Sequence, residues 1–138
     1  MIITKTIEIS MEADGDTADI TEYVQRAIDS SGLNNGIVTI FILGSTGAVS
    51  TMEYEPGLKR DIRRAFDVIA PKNIDYEHHK TWHDNNGRGH IRATFIGPSL
   101  VVPFVDKKLT LGTWQQIIVI NLDTRPRRRR IILQIMGE

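Results

Sequence analysis

The chain of 138 residues, 41% hydrophobic and 25% charged, has the length and composition of one globular domain with a core of its own. Having no cysteine, it can build no disulfide scaffold, thiolate zinc site or cysteine nucleophile. Its 17 basic and 17 acidic residues cancel, but residues 1–57 sum to −7 and residues 58–138 to +7, unlike the overall basic excess of nucleic-acid binders.

Met1–Lys5 lacks the charged and apolar regions of a secretory leader, and no apolar run nears the ~20 residues of a membrane span. A cytoplasmic protein with no nucleic-acid or membrane partner is expected. Ile3, Ile7 and Ile9 predict an opening strand over Ile2–Ser10. Met11–Asp16, acidic and holding Gly15, reads as a loop. Asp19-x-x-Glu22 has the form of a capping box, and Ile20, Tyr23, Val24, Ala27 and Ile28 recur at helical spacing up to Gly32. Ile37–Leu43 is the β-branched apolar run of a buried strand, with Ala48–Tyr54 as its expected hairpin partner across Gly44–Gly47.

Pro56 and Gly57 open a second helix with Leu58, Ile62, Ala65, Phe66 and Ile69 on one face. Lys59, Arg60, Arg63 and Arg64 lie away from it as a solvated basic face. A polar segment follows from Lys72 to Gly89. Beyond it Ile91–Ile96, Ser99–Phe104, Leu109–Leu111, Trp114–Leu122 and Arg128–Met136 read as strands, with Trp114 in the core. These elements predict a single-domain α+β fold over residues 1–138, mainly antiparallel β-sheets with two helices in β-α-β-β-α-β(n) order.

All four histidines, His78, His79, His83 and His90, fall within thirteen positions. Imidazole is both a metal ligand and the usual acid–base group near neutral pH. Helical spacing would place His79 and His83 on one face; a loop folding back would instead bring His78 toward His90. Residues alone leave both arrangements open, beside a solvated loop without chemistry.

Arg127–Arg130 enters the last strand, where alternation lets at most two guanidinium groups converge on one anion. Binding of phosphate and pairing with the acids of residues 1–57 are the two readings. Gln115, beside Gly112 and Trp114, offers neutral hydrogen bonds to a ligand. The Gly44–Gly47 turn could cradle an anion, and Glu53 could act as base or metal ligand, Glu55 being more plainly a solubilising charge.

Taken together, Tyr76-Glu77-His78, Gly89-His90-Ile91, Gly97-Pro98-Ser99, Leu111-Gly112-Thr113-Trp114-Gln115 and Pro126-Arg127 resemble the YjbQ-like family, often labelled secondary thiamine-phosphate synthases. The resemblance implies an α+β homotrimer with a site for a phosphorylated small molecule near the subunit boundaries. The implied reaction joins a pyrimidine diphosphate to a thiazole phosphate with loss of pyrophosphate, assisted by a divalent metal (zinc or magnesium). It implies His78 and His90 as metal ligands or acid–base groups, Glu53 as third ligand or base, Arg127 as phosphate anchor, and Asp61 and Gln115 as orienting groups. At Gly44-Ser45-Thr46 the chain departs from the family pattern, which has a histidine where Gly44 stands. That departure keeps a second expectation beside the enzyme: a non-catalytic trimer that binds a metal or an anion.

Overall fold

The computed structural model describes residues 1–138 as two antiparallel sheets and four helices. The larger sheet is built on β8 (Arg127–Gly137), flanked by β1 (Ile2–Met11) and β3 (Gly36–Ile42), with β5 (Ser99–Val105) and β6 (Lys108–Leu109) beyond β3. Its register is set by apolar rows on one face. Ile131 stands opposite Ile7 and Ile42, Leu133 opposite Ile40, and Ile135 opposite Ile3 and Val38. The smaller sheet has β7 (Gln116–Asn121) between β2 (Asp16–Asp19) and β4 (Gly47–Met52).

The uninterrupted apolar run of β7 follows from burial on both faces. Ile117 and Val119 join the main core between the sheets, with Ile40, Phe104, Leu133 and the α1 (Thr21–Ser31) residues Val24, Ala27 and Ile28. Ile118, Ile120 and Leu122 point the other way, into a second core with Phe66 of α2 (Pro56–Ile69) and Ala93 of α4 (Gly87–Ile96). The order is therefore large sheet, small sheet, then the α2 and α4 layer. No helix covers the outer face of the large sheet, where Ile37, Phe41, Val101 and Met136 are exposed. No helix is long and apolar enough to cross a membrane.

The α+β class with antiparallel sheets is as expected, but four helices replace two. The segment Ile91–Ile96, expected as a strand, is the second half of α4, and α3 (Glu77–Trp82) interrupts the expected polar loop. Burial explains α4: Arg88 and Arg92, one turn apart, turn inward to carboxylates of Asp14 and Asp67, at 2.8 and 3.1 Å. Gly89 lets the helix backbone approach the carbonyl of Leu122, where a Cβ would clash.

Ile37–Leu43 and Ala48–Tyr54 do not form a hairpin. β3 and β4 belong to different sheets, and Gly44–Thr46 carries the chain between them. The expected loop at Met11–Asp16 gives way to β2 at its last residue, and Asp19 accepts from Thr21 N at 2.9 Å and Thr21 Oγ1 at 2.6 Å, with Ile20 at the cap position of α1. Trp114 lies before β7 and is 72% exposed, against its expected place in the core. Glu55 is the N-cap of α2: its carboxylate accepts from Gly57 N and Leu58 N, and these bonds hold its pKa below the usual carboxylate range.

Candidate functional site

Three chain crossings meet at one end of the two sheets. The Gly44–Thr46 turn leaves β3, the Leu122–Asp123 segment leaves β7, and Arg127 and Arg129 open β8. The start of α4, with Asn86 and His90, closes the fourth side, and together they line a cavity of about 310 Å³ with no hydrophobic side chain.

Strand alternation separates the four arginines. Arg128 faces outward and pairs with Glu8 on β1 at 2.7 Å, the expected pairing with the acidic first half of the chain. Arg127 and Arg129 both line the cavity. Arg127 Nε donates to Asp123 Oδ2 at 3.0 Å, and its Nη2 lies 2.9 Å from the same oxygen. Burial opposes the charge on Asp123. Hydrogen bonds from Arg127, Thr124 N and Thr46, together with the Arg127 charge, outweigh it and lower the Asp123 pKa.

Arg129 is different. Only 5% exposed, it donates through Nη2 to Thr46 Oγ1 at 2.6 Å and to Asn121 Oδ1 at 2.7 Å, both neutral oxygens. Its Nε is buried with no partner. Burial lowers its pKa, nearby Asp123 raises it and Arg127 lowers it again. A guanidinium remains charged under such shifts, so the cavity holds a buried cation without a hydrogen-bonded carboxylate.

On the opposite wall the helices pair His90, which lines the cavity, with His78, which packs against it. His78 on α3 and His90 on α4 have ring centroids 4.4 Å apart at an interplanar angle of 55°. His78 Nε2 lies 3.4 Å from Asp84 Oδ1. In the orientation that satisfies its neighbours, the Asn86 amide nitrogen donates to Asp84 Oδ1 at 2.9 Å and to His78 Nε2 at 3.2 Å. Burial and the adjacent His78 lower the His90 pKa, while Asp84 and Asp123 pull it up. His90 is therefore neutral at pH 7 and able both to accept and to donate a proton. His79 and His83 also approach, with centroids 5.7 Å apart, as one turn of α3 requires.

The remaining expected site residues lie elsewhere in the chain. Glu53 is exposed just past the far end of β4, roughly 20 Å along the strand from Gly47. Gln115 is at that same end, where its Nε2 donates to Thr51 Oγ1 at 3.1 Å and its Oε1 accepts from Gly112 N at 3.0 Å. Asp61 sits on α2, ion-paired with Arg64 at 3.1 Å and exposed. One chain thus gathers His78, His90 and Arg127, but not Glu53, Asp61 or Gln115. No group of three or more His, Asp or Glu residues is placed to hold a metal ion, so the two imidazoles lack a third protein ligand. Thr46 belongs to the turn expected to cradle an anion, whereas Asp84, Asn86 and Asp123 are not reached from the sequence. Of these only Asp123 carries a signal there, as a polar residue two positions after Asn121 at the end of an apolar strand.

A model of the family described as UPF0047 protein YjbQ-like matches residues 5–138. The chain belongs to this family. It is 38% identical over 120 residues to a UPF0047 protein of Methanothermobacter thermautotrophicus, covering 87% of this chain and 82% of that one. It is 27% identical over 135 residues to UPF0047 protein YjbQ of Escherichia coli O157:H7, covering 97% of each. Among solved structures it is similar to a YbjQ-like protein of unknown function from Sulfolobus solfataricus, with a TM-score of 0.93 and 33% identity over 100% of this chain and 99% of that one. A hypothetical protein from Aeropyrum pernix gives 0.92 and 31% over 99% of each. The YjbQ-like architecture expected from the motifs is thereby confirmed, while the family itself is one of unknown function.

Proposed function

We propose that this YjbQ-like protein binds a small phosphorylated molecule in the polar cavity, with Arg129 and Arg127 as anion anchors and His78 and His90 as the proton-transferring pair. The observation that carries this reading is Arg129, a buried cation whose partners are two neutral oxygens and whose Nε has none. A phosphate supplies the missing negative charge and accepts several N–H bonds at once. Neutral His90 on the facing wall can take a proton from an incoming phosphate or give one to a leaving group.

The reaction to test first is the one the resemblance implies, in which the thiazole nitrogen displaces pyrophosphate from the pyrimidine diphosphate. Arginines facing the departing oxygens would stabilise the charge that develops there. Zinc or magnesium enters only as a weakly held, exchangeable ion, because two imidazoles without a third protein ligand form no closed metal centre. Incubation of both precursors with Mg²⁺ and protein should yield thiamine phosphate.

The second reading is a non-catalytic module that holds the anion, and Gly44 favours it, since His90 is the one imidazole that lines the cavity. Phosphate binding without turnover of the two precursors would select that reading. We also propose the homotrimer implied by the resemblance. The uncovered apolar face of the large sheet supports association, and a trimer gives Glu53, Asp61 and Gln115 a route to a ligand at a subunit boundary.

A further inference from the structure

Gly44 and Ser45 also line a second groove of about 220 Å³, together with Gly47, Ala93, Thr94 and Pro98. Both spaces are lined by Gly44 and Ser45, so they share a wall made of one glycine and one small side chain. Along α4 they are one turn apart: His90 lines the first, and Thr94, whose Oγ1 donates to the His90 carbonyl at 2.7 Å, lines the second.

The chemistry changes across that wall. The first space holds Arg127, Arg129, Asp123 and Asp84, whereas the second holds no charged side chain. All its lining residues are small, and the Thr94 hydroxyl proton is already committed to the helix backbone. Such a surface gives a ligand van der Waals contact and no ionic partner. A second charge carried by a ligand would be left without a counter-ion there.

We infer that the two spaces form one bipartite site for a phosphomonoester. Its phosphate lies against Arg129, and its compact, uncharged body crosses Gly44 and Ser45 into the groove beside Thr94. This inference rests on the phosphate reading above and narrows it. Free inorganic phosphate fills only half of the site, and an ester whose body bears a further charge is disfavoured.

The test compares inorganic phosphate with phenyl phosphate by calorimetric titration of the full chain. Phenyl phosphate should bind at least about tenfold more tightly, from burial of its ring. Thr94→Phe, at an exposed helical position, fills the groove and should bring phenyl phosphate down to the affinity of inorganic phosphate. Amide shifts measured by NMR on the unmodified protein need no variant: phenyl phosphate should move Gly47 and Thr94, and inorganic phosphate should leave them in place. Equal affinities for the two ligands, an advantage untouched by Thr94→Phe, or unmoved Gly47 and Thr94 amides would overturn the bipartite site while leaving the phosphate site standing. Failure of both anions to bind the unmodified protein would refute the phosphate reading and the bipartite site together.

Discussion

A Cβ on residue 44 would lie 2.5 Å from Nη1 of Arg129, so the glycine and the guanidinium occupy one another's space. Gly44 also has φ of +107°, a conformation that side-chain-bearing residues rarely adopt. Gly44→Ala should therefore cost about 1–3 kcal/mol of stability and push the guanidinium out of place, weakening phosphate binding. Thermal unfolding and phosphate titration read both effects. A variant with the original midpoint and affinity would mean that Arg129 has another position available.

Arg129→Met separates anion binding from stability. Loss of the charged donor should weaken phosphate binding by ~10–100-fold, equivalent to about 1.5–3 kcal/mol for hydrogen bonds to a charged group. Stability without ligand should change by less than about 1 kcal/mol, or rise, because a buried charge with no hydrogen-bonded carboxylate is removed. Arg127→Met should weaken phosphate binding as well, but unlike Arg129→Met it should also lower stability. It strands the Asp123 carboxylate, which is 2% exposed, and should cost on the order of 2 kcal/mol, a figure reduced because Arg127 is itself 41% exposed. If Arg129→Met proved the more destabilising of the two, the cavity arginine would be structural rather than ligand-binding.

The pH dependence follows from His90. Burial first, then His78, lowers its folded pKa, whereas the unfolded chain titrates near about 6.5. Between the two values the unfolded state binds more protons, so folding stability falls as pH drops below about 6.5 and levels off once His90 is protonated in both states. NMR titration should place the His90 midpoint below that of a free imidazole, and His90→Asn should flatten this part of the stability profile. A bound phosphate should act in the reverse sense, raising the His90 pKa so that binding takes up protons. A His90 midpoint above 6.5 without ligand would contradict this.

Association should run through the outer face of the large sheet. Light scattering at moderate salt is expected to report about three times the 15.6 kDa chain mass. Phe41, 43% exposed on that face, should abolish assembly when changed to Glu, because each interface would then bury an unpaired charge. Phe41→Glu that keeps the trimer mass would move the interface elsewhere, and a monomeric unmodified protein would remove the proposal.

Arg92 offers a check on the fold around the site. It is 3% exposed, and through Nε and Nη2 donates to the Ala70 carbonyl at the end of α2, at 3.1 and 2.7 Å. Arg92→Met leaves that carbonyl unsatisfied and should lower stability by roughly 2 kcal/mol, read as a lower denaturant midpoint with unchanged slope.

Where chemistry is local, the amino-acid order alone determined the outcome. Val24, Ala27 and Ile28 bury one face of α1, and Gly32 ends it with φ of 77°, because helical spacing and a left-handed cap depend only on near neighbours. The strands β1, β3, β5 and β8 were legible for the same reason, and the family motifs pointed to His78 and His90, whose rings meet, and to Arg127, which lines one cavity with His90. Tertiary structure decided what depends on distant packing. Ile91–Ile96 became helix because the buried side chains of Arg88, Arg92 and Ala93 found partners on the Asp14 loop, α2 and β7. β3 and β4 parted into two sheets because β8 and β7, far along the chain, pair better with each of them. The burial of Arg129 was likewise invisible in four consecutive arginines. Alternation could say which two share a face, but only the closure of Thr46 and Asn121 over one of them left that cation with neutral hydrogen-bond partners alone.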